Sequence, residues 1–173
     1  EVVTHPDVAE RLYAEIDTVL PDKKVRPEHA AQLPYLRQVL TETLRYWAPW
    51  ISSLTAKGEV RVGDTVLPDG TVVMFSPYMV TRSDEYFASA DAFDPGRWSP
   101  ERVGELDKRY WLPFGVGERR CPGNHYAMLA ITLQAAAFLA RWRPVPDESY
   151  RVRPTTKDFT PSPAKLPLTL HAR

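Results

Sequence analysis

Twice in the first fifty positions, apolar residues recur at intervals of three and four. Val8, Leu12, Ile16 and Val19, after His5-Pro6-Asp7, predict an amphipathic helix of about four turns that Pro21-Asp22 stops. Pro27, Glu28 and His29 predict a short helical turn before Pro34. Leu36, Leu40, Leu44 and Trp47 predict a second helix, ended by Pro49. Residues 50–79 change character. Short β-rich pieces there are punctuated by Gly58, Gly63 and Pro68-Asp69-Gly70, and residues 71–75 form the clearest strand, which predicts a small antiparallel sheet or a pair of hairpins. A short helical piece is expected within residues 84–92. Residues 93–123 have no sustained period and include Pro95, Pro100 and Pro113; a long aperiodic segment in a compact protein commonly serves a site. A final helix is predicted over about residues 122–140, with Ala127, Ile131, Ala135, Phe138 and Leu139 as its apolar face. Residues 150–153 and 166–170 read as strands around a turn at Thr160-Pro161-Ser162-Pro163. The fold class expected is mainly α with small β-sheets.

Composition narrows the functional classes. The chain has 173 residues, 43% hydrophobic and 25% charged, which suits one globular domain. Lysine plus arginine and aspartate plus glutamate both total 22, so no basic field points to nucleic acid. No run approaches the roughly 20 apolar residues of a membrane span, and the opening does not resemble a signal peptide. The expected placement is cytoplasmic. The opening EVVTHPDVAE lacks methionine and reads as a sequence entered midway. The single cysteine, Cys121, excludes an intrachain disulfide and a cysteine-only metal cage. A lone cysteine is more often a small buried hydrophobe than a reactive group. Its neighbours must decide.

Those neighbours are Phe114-Gly115-Val116-Gly117-Glu118-Arg119-Arg120-Cys121-Pro122-Gly123, ahead of the last helix. Gly115 and Gly117 allow a tight turn and close approach of the backbone to a flat cofactor. Pro122 suits the first position of a helix, where a missing N–H costs nothing. The Cys121 sulfur would then face the positive end of that helix, which favours thiolate over thiol.

This segment closely resembles the haem-binding loop of the cytochrome P450 family. Six fixed residues at family spacing arise by chance on the order of once in 10^7 to 10^8 windows. The resemblance implies an iron-bearing haem b with Cys121 as axial ligand, Arg119 on a propionate and Phe114 shielding the sulfur, with Gly115, Gly117 and Gly123 shaping the loop. A thiolate ligand pushes electron density towards the iron and helps cleave the O–O bond. Glu42-Thr43-Leu44-Arg45 resembles the family's ExxR helix, and Phe93-Asp94-Pro95-Gly96-Arg97-Trp98 its arginine-bearing loop. Alone, Glu42 and Arg45 would read as a surface ion pair. Together with Arg97 they imply a buried cluster, the carboxylate satisfied by two forked guanidiniums, that locks the segment before Cys121.

The likeness runs over the chain in family order: helices J and K, sheet strands, meander, cysteine loop, helix L and C-terminal hairpin. It implies that residues 1–173 are the C-terminal part of a single cytochrome P450 domain, with helix I and the upstream distal region absent. The missing N-terminal region then counts among the partners, and isolated folding is doubtful. A ferredoxin, flavodoxin or flavoprotein reductase would supply electrons at a proximal surface to which Arg109 and Arg120 contribute. Trp50, Ile51, Ser52, Ser53 and Leu54, with Thr160, Pro161 and Ser162, would face an apolar small-molecule substrate. Thr55 stands where many relatives carry a propionate anchor, and His125 reads as a surface or propionate-side group. The activity implied is O2-dependent hydroxylation or epoxidation. Peroxygenation or isomerisation on the same fold, and a non-catalytic haem-binding or structural fragment, remain as alternatives.

Overall fold

A computed structural model describes residues 1–147, 149, 154–155 and 159–173. The strand expected at residues 150–153 lies outside the described residues. Three longer helices build the core: α1 (Pro6–Val19), α2 (Pro34–Tyr46) and α4 (Asn124–Leu139); a short α3 (Pro77–Thr81) follows the first sheet. A 3-10 turn over Pro27–Gln32 links α1 to α2, where the Pro27 start predicts one.

Val8, Leu12 and Ile16 are buried, as the spacing along α1 requires. They pack with Leu20, Leu33, Leu36, Val39, Phe93, Ala136 and Leu139 into one core. Two predicted faces are rotated. On α2 the buried line is Leu36, Val39, Glu42 and Arg45, while Leu40, Leu44 and Trp47 are only half-buried. On α4 Asn124, Thr132, Ala136 and Leu139 face inward, whereas Ala127, Ile131 and Ala135 are half-buried and Phe138 is exposed. The cause is that α4 is apolar on all sides, so periodicity selects no face.

Glu15 of α1 reaches the start of α2, where its two carboxylate oxygens accept the Tyr35 and Leu36 N–H groups at 2.7 and 2.8 Å. Leu33 supplies no side-chain cap, so a long-range carboxylate satisfies donors at the positive end of the helix.

Among the described residues the strands pair as four antiparallel ladders. β1 (Ser52–Thr55) lies on β4 (Val72–Phe75), and β2 (Val60–Val62) folds onto β3 (Thr65–Leu67) through Gly63 at φ +57°. β6 (Pro154–Thr155) meets β7 (Ser162–Pro163), and β5 (Trp142–Pro146) pairs with β8 (Leu168–Ala172). No expectation covers β5, because Pro144 and Pro146 argue against a strand. They share a parity, which puts both missing N–H groups on the same edge of a two-stranded ladder. The helical piece expected within residues 84–92 is absent: that stretch is turns, and α3 comes earlier. Among the described residues no helix is long and apolar enough to cross a membrane.

Glu15→Ala is expected to cost about 1–2 kcal/mol through loss of the α2 start. Urea unfolding should show a lower midpoint at unchanged slope; an unchanged midpoint would contradict that role.

Candidate haem-thiolate site

Glu42 and Arg45 are both 0% exposed, and Arg97 is 2% exposed. Glu42 Oε2 accepts Arg45 Nε at 2.9 Å, and Oε1 accepts Arg45 Nη2 at 2.9 Å, a bidentate pair on one helix face. The second guanidinium is not equivalent. Arg97 Nε stands 3.6 Å from Glu42 Oε1 without a hydrogen bond. The carboxylate is completed instead by the Asp94 N–H at 3.0 Å and the Trp98 indole N–H at 2.8 Å. The expectation that two forked guanidiniums satisfy Glu42 is therefore corrected: one does, and a backbone amide and an indole supply the rest.

The arginines turn their remaining donors on the chain between α3 and Asp94. Arg45 Nη1 donates to the carbonyls of Thr81 and Ala90 at 2.6 and 2.8 Å, and Nη2 to Ala92 at 3.0 Å. Arg97 donates to Ala88 and Ser89 at 2.8 and 3.3 Å. Carbonyls pulled inward to cations cannot form an i→i+4 ladder, which accounts for the missing helix at residues 84–92.

From Glu42 a line of aromatic rings leads to the cysteine loop. Trp98 packs edge-on against Trp111 at 5.9 Å between centroids, and Trp111 against Phe114 at 5.9 Å. The Trp111 indole also donates to Thr41 O on α2 at 3.3 Å. Sequence reasoning missed the parts of Trp98 and Trp111; their signal was tryptophan, a donor-bearing ring, in an otherwise aperiodic segment.

The loop from Phe114 is closed by the Cys121 N–H, which donates to Phe114 O at 2.9 Å. Gly115 and Gly117 lie at φ +71° and +65°, the left-handed region that favours glycine. A Cβ at Gly123 would stand 3.8 Å from the Cys121 sulfur, so the sulfur lies beside the entry to α4. α4 starts at Asn124 rather than Pro122, with Pro122 and Gly123 forming a turn ahead of it. Cys121 is free and exposed, which removes the reading as a small buried hydrophobe.

The residues fit a haem. Among the described residues no group of three or more His, Cys, Asp or Glu side chains could hold a bare metal. An iron held at Cys121 would take its remaining ligands from a group such as a porphyrin. Arg119 is exposed and, among the described residues, has no acidic partner. Thr55 is exposed on β1, and His125 is exposed at the start of α4. Arg109 is exposed and pairs with Asp107 in a salt bridge of 2.6 Å. The Arg109 hydrogen bonds, side chain first and then backbone, hold the Asp107 carboxyl below the usual range.

Trp50 and Ile51 are half-buried and lead into β1, which carries Ser52, Ser53 and Leu54. Thr160 and Pro161 lie between β6 and β7, and Ser162 opens β7, where it pairs with Thr155. The two segments meet: the Trp50 N–H donates to Phe159 O at 2.9 Å.

The family model for cytochrome P450 matches residues 1–168. The chain belongs to the cytochrome P450 family. It is 38% identical to pentalenene oxygenase of Streptomyces avermitilis over 98% of its own length and 38% of that protein's. It is 37% identical to cyclooctatin synthase of Streptomyces melanosporofaciens, over 87% of this chain and 33% of that one. The crystal structure of a cytochrome P450 (CYP102L1) superposes with a TM-score of 0.88 at 29% identity, over 99% of this chain and 40% of that one. The chain thus spans about two fifths of that structure's length. Membership implies a haem cofactor.

These findings correct the assignment of residues 1–173 to no more than the C-terminal part of a P450 domain, with a missing N-terminal region as partner. The family match takes in the chain as a whole, and the solved fold covers 99% of it. Within the chain, α1, α2 and α4 bury a core, with Leu12 and Ile16 at 0% exposure.

Glu42→Gln keeps the shape but turns an amide N–H₂ towards donors. A loss of about 3–5 kcal/mol is expected in denaturant unfolding, because the Arg45 charge stays buried without its partner. A loss below about 1 kcal/mol would show that the carboxylate does not hold the cluster.

Proposed function

We propose that this P450 chain works as a haem-thiolate monooxygenase, inserting one oxygen atom of O2 into a C–H or C=C bond of an apolar organic substrate. The cofactor in this reading is haem b. One observation carries it: an exposed cysteine, in a loop closed by two left-handed glycines and its own N–H, beside the entry to α4. The relative pentalenene oxygenase is by its name an oxygenase, which supports the same reaction class.

When bound, the haem would supply the O2 chemistry, with the Cys121 thiolate holding it and donating electron density. The protein's residues do the placing. Cys121 presents its sulfur outward from a loop that the Phe114 carbonyl closes. Arg119, without an acidic partner among the described residues, offers its guanidinium to a carboxylate substituent of the ring. Phe114 packs edge-on against Trp111, and in this reading its ring would shield the sulfur. Glu42, Arg45 and Arg97 take no part in bond chemistry; they fix the chain on which the loop is mounted.

Cys121→Ala tests the reading directly. The haem-loaded wild-type chain, reduced under carbon monoxide, is expected to give the red-shifted Soret band of thiolate ligation, and the variant to lose it. Retention of that band without the sulfur would sink the assignment. Arg119→Gln is expected to keep the band and lose haem faster, by about tenfold for one charge-assisted contact of about 1.5 kcal/mol, measured by transfer to apomyoglobin.

A further inference from the structure

Tyr86 and Tyr110 come together from two segments that are distant in sequence. Tyr86 lies in the turns between α3 and Asp94, where its N–H donates to Ser83 O at 3.1 Å. Buried Arg97 and Arg45 hold that stretch through the Ala88 and Ala90 carbonyls. Tyr110 closes the 3-10 turn Lys108–Tyr110, with its N–H on Asp107 O at 3.1 Å. The two rings stack with centroids 3.9 Å apart and planes 19° from parallel. Aromatic pairs usually stand about 4.5–7 Å apart, so these phenols are in close register. Among the described residues no other two tyrosines are in ring contact. Both side chains are half-buried, so solvent reaches them while their segments keep the rings together. Glu85 raises the Tyr86 phenol above its ordinary pKa, by a hydrogen bond first and then by its charge. A carboxylate in that place is an acceptor for the phenolic proton.

We propose that Tyr86 and Tyr110 form an oxidative modification site, at which hydrogen peroxide activated by the haem joins the two rings as an intramolecular dityrosine. Each phenol loses one electron and its O–H proton, the Tyr86 proton by way of Glu85 and the Tyr110 proton to solvent. The two phenoxyl rings slide into register and form an ortho C–C bond. The hydrogen on each joined carbon then moves to its phenolic oxygen. One peroxide takes up the two electrons and two protons and leaves as two waters. The cross-link fastens the Tyr86 stretch to the turn that precedes Trp111, and so to the mounting of the cysteine loop. It also spends oxidising equivalents away from Cys121, whose exposed sulfur is open to the same oxidant. From the haem-thiolate reading the proposal takes only the activation of peroxide.

In the test, the haem-loaded full chain receives equimolar hydrogen peroxide, and the monomeric protein is digested with trypsin. Peptides 83–97 and 110–119 are expected to appear joined, with the loss of two hydrogens and with dityrosine fluorescence. Tyr86→Phe and Tyr110→Phe keep both rings and the thiolate-type carbon monoxide spectrum, and each is expected to lose the joined peptide. Exposure alone would instead favour Tyr126, which is 77% exposed, and links between molecules. Absence of the 86–110 link in a chain with the thiolate spectrum overturns the proposal, as does dityrosine undiminished in either variant. If wild type shows no thiolate spectrum, the haem reading fails. Light-driven oxidation by ruthenium tris(bipyridine) and persulfate then decides the pair: the 86–110 link supports it, and its absence overturns it.

Discussion

A carboxylate with no access to water governs this structure. Burying Glu42 carries a desolvation cost of several kcal/mol, recovered only when every lone pair is engaged. Here four donors engage it: two from Arg45, the Asp94 amide and the Trp98 indole. Because Asp94 and Trp98 lie some fifty residues further along the chain, the requirement for satisfaction is also a requirement on topology. The segment after α3 must return across α2, and Arg45 and Arg97 draw its carbonyls inward as it does so.

The cysteine loop inherits its position from that arrangement. Trp98 is anchored by Glu42, Trp111 packs on Trp98 and is tied to α2, and Phe114 packs on Trp111. The Phe114 carbonyl then receives the Cys121 N–H. A buried ion pair thus reaches an exposed sulfur through three rings and a backbone hydrogen bond. Rigidity in the loop is useful to a metal site, because a ligand that need not be reorganised binds at lower entropic cost.

Much of this was legible in the residues. Local signals placed α1 and α2, since their apolar spacing and flanking prolines agree. The cysteine loop was legible because left-handed glycines around an exposed cysteine leave a fixed pattern. What escaped depends on partners far off in sequence. The helix expected over residues 84–92 does not form because Arg45 and Arg97 claim its carbonyls. The buried line of α2 turns towards Glu42 and Arg45, which any hydropathy pattern assigns to solvent. α4 is apolar all round, so its inner face is chosen by its neighbours. β5 is hidden by two prolines tolerated only at an edge. The assignment to the C-terminal part of a domain is corrected by a family match over residues 1–168 and a likeness that covers 99% of this chain and 40% of the solved structure.

The central claim is that Cys121, held by this framework, bonds an iron atom through sulfur. Iron K-edge X-ray absorption of the haem-loaded chain measures that bond directly. The account predicts one sulfur among the nearest neighbours of the iron, besides the porphyrin nitrogens. A first shell of nitrogen and oxygen alone would contradict it.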